Sequence, residues 1–322
     1  MPGPVAVSVV VASHARPLRL RWLLNALEEQ TLPRESWNVV VVHDYDPATA
    51  KRVLERHGLW DAGILRHVGI APGTGSPARQ RNLGWRSAEA ELVAFTDDDC
   101  RPEPDWLERL LAAARRAPGD VLQGATRPDP LEAGVLAAPH VRTMLIEPVG
   151  PFAQTCNILY PRGLLERLGG FDERAVTGED VDLSLRARAV GTRISPAPQA
   201  IVNHAVESHT LPGILRQNLK WHHLAYLVKR HPELRQELPL RVFWDRDHLW
   251  TTVALAGILG GRRYRPLLAL AVPYAVRSSR RRGPARRERA VALVETPGQA
   301  IRQLAEVAGL AYGSARYRTL VL

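Results

Sequence analysis

Cysteine is scarce in this chain of 322 residues: the two present, Cys100 and Cys156, lie far apart and make no metal-type pair. So few thiols argue against a disulfide framework and suit a reducing, cytoplasmic setting. The start, Met1-Pro2-Gly3-Pro4, lacks the charged and apolar regions of a secretory signal. Two apolar stretches in the second half, Leu249–Leu259 and Pro266–Val276, have 11 residues each. Both fall well short of the roughly 20 needed to cross a bilayer as a helix. No internal repeat and no long low-complexity tract is present. Lysine is nearly missing too, with Lys51, Lys220 and Lys229 alone.

What is there begins with a composition of 45% hydrophobic and 24% charged residues, that of a folded protein. The net charge of +10 is unevenly spread. Residues 211–322 hold 20 Lys+Arg against 7 Asp+Glu, whereas residues 1–210 hold 23 against 26. A mildly acidic body with a basic tail points to a polyanionic partner, either nucleic acid or anionic lipid. Arginine in place of lysine is equally compatible with genome composition, which does not account for its concentration at one end.

The first half alternates apolar runs with helical patterns. Val5–Ala12, Val39–Val42, Ile64–Val68 and Leu92–Thr96 have strand length, and the continuous valines suit a strand buried on both faces. Between them, Leu20, Leu23, Leu24 and Leu27 mark one helix face, and Ala48–His57, Ala78–Ala88 and Asp105–Arg116 read as further helices. Such alternation predicts an α/β domain with a doubly wound, mostly parallel sheet flanked by helices. The middle is less regular, with strands expected at Val121–Thr126, Asn157–Tyr160 and Gln199–Asn203 and helices at Arg162–Leu168 and Val181–Ala189. From about residue 211 the pattern is helical. The organisation expected is therefore a catalytic domain over 1–210 and a mainly helical, arginine-rich extension over 211–322.

Asp97-Asp98-Asp99 directly follows the strand Leu92–Thr96, at the carboxyl edge where open parallel sheets bind ligands. Three adjacent carboxylates repel one another unless a cation neutralises them, and hard oxygen ligands suit Mg²⁺ or Mn²⁺. An acidic helix start is the structural alternative, but Pro102 and Pro104 put the helix several residues later.

Three segments, Val7–Ser13, Val39–Asp44 and Phe95–Asp99, occur in the order seen in family-two inverting glycosyltransferases of the GT-A fold, which this chain resembles. Ala78-Arg79-Gln80-Arg81-Asn82-Leu83-Gly84, Gly169-Gly170-Phe171-Asp172 and Gly178-Glu179-Asp180-Val181-Asp182-Leu183 continue the likeness over about residues 5–210. Each motif alone is weak; six in order are specific.

The resemblance implies a role for each matching residue. Asp44 takes the position that accepts a hydrogen bond from the nucleotide base, although the family's Asp-Asp-Gly-Ser reads His43-Asp44-Tyr45-Asp46 here. Arg81 matches an arginine near the base and diphosphate, with Arg79 beside it leaving the register open. Ser13 either contacts the nucleotide or caps the following helix. Asp97 and Asp98 belong to the donor-sugar side, while Asp97 and Asp99 match the outer residues of an Asp-x-Asp metal motif. His204 falls where some relatives supply a further metal ligand, its alternative being a packing residue. Asp180 matches the family's general base, and Glu179 next to it, on the acceptor side, raises its proton affinity. The metal's chemistry would be Lewis-acid support of the diphosphate leaving group.

Gln217-Asn218-Leu219-Lys220-Trp221 approximates the Gln-x-x-Arg-Trp motif of processive relatives, with lysine for arginine and no spanning helices after it. Arg277, Arg280, Arg281, Arg282, Arg286, Arg287 and Arg289 follow the second apolar stretch, a pattern that fits attachment to an anionic membrane surface. The plain alternative is a helical bundle with a solvated basic face. The function expected is a metal-dependent inverting transfer from a nucleotide-diphosphate sugar to an acceptor hydroxyl, a lipid-linked one included. The family makes bacterial cell-surface glycan or glycolipid assembly, at the inner face of the membrane, the expected setting. A nucleotidyltransferase acting on sugar phosphates is the second enzyme reading, against which stands the lack of a Gly-rich, lysine-bearing phosphate loop near the N-terminus. Nucleic-acid binding through the tail is a third, weakened by the absence of any recognisable module.

Overall fold

The computed structural model describes residues 5–150, 152–281, 283 and 285–322. The expectations for Met1–Pro4 and for Arg282 lie outside these residues. The chain divides into two compact units, Met1–Leu136 with Arg142–Glu207, and Ala137–Val141 with Ser208–Leu322.

In chain order the strands are β1 (Val7–Ser13), β2 (Trp37–His43), β3 (Leu65–Gly69), β4 (Leu92–Asp97), β5 (Cys100–Pro102), β6 (Val121–Pro128), β7 (Val141–Arg142), β8 (Asn157–Pro161), β9 (Ile194–His204) and β10 (Glu207–Ser208). Eight of them form one sheet in the order β3-β2-β1-β4-β8-β6-β9-β5. β1 and β2 are buried at nearly every position, as apolar runs at the centre of a parallel sheet must be. Parallel pairing of β1 with β2 and β4 sets Ser13 opposite His43 and Ala12 opposite Asp97, so three strand ends open on one edge.

The alternation of side chains along each strand loads both faces. Val9, Val11, Val39 and Val41 pack with Leu20, Leu23, Leu24 and Leu27 of the helix Pro17–Glu28 and with Leu107 and Leu110 of Trp106–Arg116. On the other face Val10, Val93, Phe95, Ile158 and Tyr160 meet Ala78 and Trp85 of the helix Pro77–Arg86, and Leu183 and Ala187 of Glu179–Ala189. Phe95 sits edge-on to Phe171, 5.3 Å between ring centres. A Cβ on Gly84 would collide with the Val10 side chain, so the helix Pro77–Arg86 lies directly on β1.

The sheet is parallel from β3 to β4 and mixed beyond, because β8 runs antiparallel to both β4 and β6. This change falls where the helix–strand alternation in the sequence fails. Short β5 pairs antiparallel with β9 and places Cys100 opposite His204. Its three residues carry no periodicity to read, and Pro102 is tolerated because β5 is an edge strand. Two helical expectations are refined. Pro47–Ala50 is α-helical and passes into a π-turn at Lys51–Glu55, and Arg265–Ala271 is a 3₁₀ turn leading into the helix Val272–Ser279.

The second unit is helical, with Leu211–Asn218, Leu224–Arg230, Arg246–Gly261, Val272–Ser279 and the 32-residue Arg286–Tyr317 as its α-helices among the described residues. The segment Gln217–Trp221 straddles the end of the first of these and a 3₁₀ turn. None of the described helices is long and apolar enough to cross a membrane.

Candidate active site

The open edge of β1, β2 and β4 collects polar groups that the apolar strands beneath hold in place. Ser13, ending β1, is buried and donates through Oγ to Asp98 Oδ2 at 2.7 Å. Its carbonyl accepts from Gln80 Nε2 at 3.0 Å, tying the strand end to the helix Pro77–Arg86. The His14 amide also reaches Asp98, at 3.3 Å. Burial, then the Asp99 charge, pushes the Asp98 carboxyl up to about 7. Asp98 is therefore held inward among protein groups, and Ser13 contacts it instead of capping a helix.

Asp44 follows β2, with Oδ2 2.6 Å from His14 Nδ1. Where the family reads Asp-Asp-Gly-Ser, this chain builds a ring stack: His43 lies 5.2 Å from Tyr45 at an interplanar angle of 22°. His43 Nε2 is 3.0 Å from His67 Nδ1, and burial together with that second imidazole lowers its pKa to about 4. The ring is neutral at physiological pH. Tyr45 OH shares a 2.7 Å hydrogen bond with Ser13 Oγ, and burial pushes its phenol up to about 12.

Arg81 joins two parts of the site. Its guanidinium donates to Asp97 Oδ1 at 2.7 Å and to Glu179 Oε1 at 2.6 Å. Its side chain is only 7% exposed, whereas that of Asp97 is 29%. A buried, two-armed cation between two carboxylates is a rigid strut. Arg79, by contrast, bonds the Thr74 carbonyl at the surface. Glu179 and Asp180 open the helix Glu179–Ala189 after Gly178, whose φ of +81° lies in the left-handed region that favours glycine. Asp180 Oδ1 accepts from the Val181 amide at 2.8 Å. Burial, reinforced by the adjacent Glu179 charge, pushes Asp180 up to about 7, a value suited to a general base at neutral pH.

A third cluster forms where β4, β5 and β9 meet. Asp99, Cys100 and His204 present ligand atoms all within 4.8 Å of one another. His204 Nε2 is 3.7 Å from Asp99 Oδ1, and its Nδ1 lies 2.9 Å from the Ala205 carbonyl. A carbonyl only accepts, so Nδ1 carries a proton, and this hydrogen bond fixes the ring with Nε2 turned toward Asp99. Burial pushes the Cys100 thiol well up, which leaves it neutral and a poor ligand. One carboxylate and one oriented imidazole form a donor set that fits a divalent ion of the Mn²⁺ type. Asp97 stands apart from this cluster, held by Arg81.

Arg16, which the sequence reading passed over, pairs with Asp99, lies 3.6 Å from Asp98 Oδ1 and reaches Glu207 Oε2 at 3.4 Å. It neutralises the acidic cluster from the loop after β1. Gln80 and Tyr45 were likewise not singled out. Gln80 and Tyr45 both lie inside the motif segments, but Arg16 carries no local signal, since its partners are distant in the chain.

The sequence profile of Glycosyl transferase family 2 matches residues 8–168, and that of Glycosyl transferase family group 2 matches residues 92–277. A pre-mycofactocin glycosyltransferase of Mycobacterium tuberculosis is 28% identical over 267 residues, 79% of this chain and 54% of that protein. The chain thus spans about half the length of that curated relative. Among solved structures, a mannosyltransferase from Pyrobaculum calidifontis in complex with GDP-Man and Mn²⁺ is similar with a TM-score of 0.58 and 19% identity, covering 98% of this chain and 89% of that one. Residues 1–349 of TarS from S. aureus in complex with UDP-GlcNAc reach a TM-score of 0.53 at 17% identity, covering 98% and 93%. These likenesses show a GT-A fold.

Proposed function

Because the chain belongs to glycosyl transferase family 2, we propose that it is a glycosyltransferase that moves a sugar from a nucleoside-diphosphate sugar to an acceptor hydroxyl with inversion. The observation that carries this reading is the Arg81 strut, which ties donor-side Asp97 to Glu179 and so to the adjacent Asp180. In this reading the acceptor oxygen forms its bond to the anomeric carbon as the bond to the diphosphate oxygen breaks. The acceptor proton passes to the Asp180 carboxylate, and the bonding electron pair leaves with the diphosphate. Glu179, paired with Arg81, shapes the acceptor side, and its charge adds to burial in keeping the Asp180 proton affinity high.

Asp44 and Ser13 lie on the nucleotide side and Asp97 toward the sugar, with Asp98 held beneath them by Ser13 and the His14 amide. A divalent cation, Mn²⁺ or Mg²⁺, would be held by Asp99 and His204, with Asp97 a third ligand only where its carboxylate turns from Arg81. When bound it supplies positive charge to the departing diphosphate. The relatives in complex with GDP-Man and with UDP-GlcNAc support the donor class and leave the base and sugar to measurement. A cytoplasmic role in cell-surface glycan or glycolipid assembly, with a lipid-linked acceptor, completes the proposal.

The test is calorimetry with UDP-, GDP- and dTDP-sugars, with and without Mn²⁺. One nucleotide class is expected to bind in a metal-dependent way, with affinity reduced about 10- to 100-fold by Asp99→Asn. A folded protein that binds no donor with metal present overturns the reading.

A further inference from the structure

The helix Arg246–Gly261 is built inside out. Its buried positions, His248, Thr251, Ala254, Gly257 and Gly261, fall on one stripe of three- and four-residue spacing. That stripe meets polar partners. His248 Nε2 lies 3.0 Å from Glu306 Oε2, and Thr251 Oγ1 donates to Gln303 Oε1 at 2.8 Å. Leu255, Ile258 and Leu259 on the same helix are between 39% and 53% exposed. A helix shaped by water alone does the reverse, burying its leucines and exposing its polar groups.

The inversion continues past the turn. A Cβ on Gly257, Gly260 or Gly261 would strike Leu267, Leu268 or Leu270, so the segment Arg265–Ala271 folds directly back on the helix as a hairpin. Those three leucines nevertheless remain 36–48% exposed. Around the turn Arg262, Arg263 and Arg265 are all exposed and form no ion pair with the described residues. An apolar surface edged by unpaired arginines is the combination that an anionic bilayer surface complements.

We propose that the hairpin spanning 246–279 is a membrane-surface anchor, its leucine face entering the boundary between headgroups and acyl chains and its turn arginines binding lipid phosphates. Both arms are too short to span, so the hairpin lies in the surface plane. Charge favours lipid over a second copy of this chain, since pairing the face with itself would gather six unpaired guanidiniums at one interface. The inference is independent of the transfer reaction.

The test is flotation of the full chain with vesicles of phosphatidylcholine alone and of phosphatidylcholine with phosphatidylglycerol, at physiological salt. The chain is expected to float with the anionic vesicles. The double variant Ile258→Asp/Leu268→Asp replaces exposed side chains, with thermal melting to check the fold, and should lower partitioning on the order of 100-fold. Arg262→Glu/Arg263→Glu/Arg265→Glu should abolish the preference for anionic lipid, by at least on the order of 100-fold. Three outcomes overturn the proposal: a parent chain that stays at the bottom, a double aspartate variant that floats like the parent, or a dimer that Leu268→Asp dissociates while no vesicle binding occurs. The last would assign the face to a second copy.

Discussion

At the scale of single residues, Asp180 and Arg81 carry opposite burdens. Arg81 is a buried cation paired with two carboxylates. Asp180 is a carboxyl whose proton affinity the fold has raised to about 7. In the unfolded chain it titrates near 3.8, so between about pH 4 and 7 the native state holds a proton the unfolded state has released. Stability contributed by this group therefore falls as pH rises through that window, and the penalty is complete above it. Catalysis needs the deprotonated form, so kcat/KM should rise with pH toward a plateau above about 7. Asp180→Asn is expected to cost about 10²- to 10⁴-fold in kcat while raising the melting temperature at pH 8 relative to pH 4. Rate profiles and thermal melts of both forms check this. A variant with unchanged kcat would remove Asp180 from the proposed base role.

At the scale of elements, the helix Pro77–Arg86 decides where the Arg81 guanidinium lies, and Gly84 decides how close that helix comes to β1. Gly84→Ala sets two effects against each other. Helix propensity favours alanine by about 1 kcal/mol, but a methyl driven into Val10 costs about 1–3 kcal/mol as overpacking. Overpacking wins, so urea denaturation should show a net loss on the order of 1 kcal/mol. Donor affinity should fall with it, because the displaced helix carries Arg81 and Gln80 away from Asp97 and Ser13. Lost stability with unchanged donor binding would show that the helix position does not set the site.

At the scale of the whole molecule, charge and chemistry are divided along the chain. The acidic cluster, the strut and Asp180 all lie in the sheet unit, while the excess of arginine lies in the helical unit. A chain ending at residue 210 is expected to retain metal-dependent donor binding in calorimetry and to lose flotation with anionic vesicles. A folded fragment that fails to bind donor would place part of the donor pocket in the tail and overturn the proposed division at 210.

By itself the sequence determined the strands whose burial is local in origin. The valine runs of β1 and β2 and the run before Asp97 announce themselves because a strand buried on both faces needs an unbroken apolar stretch. It also determined, through the order of six motifs, the family and the edge on which the aspartates sit. Tertiary structure alone decided which of those residues meet. Asp99 and His204 are 105 positions apart in the numbering and come together because three-residue β5 pairs with β9, a strand too short to leave any periodic trace. Arg16 reaches Asp99 and Arg81 reaches Glu179 across similar separations. The leucines of 249–276 were legible as apolar, but their outward orientation was not. A hydrophobic pattern records that a stripe exists, whereas the neighbour that covers it, or leaves it bare, is supplied by chain far away.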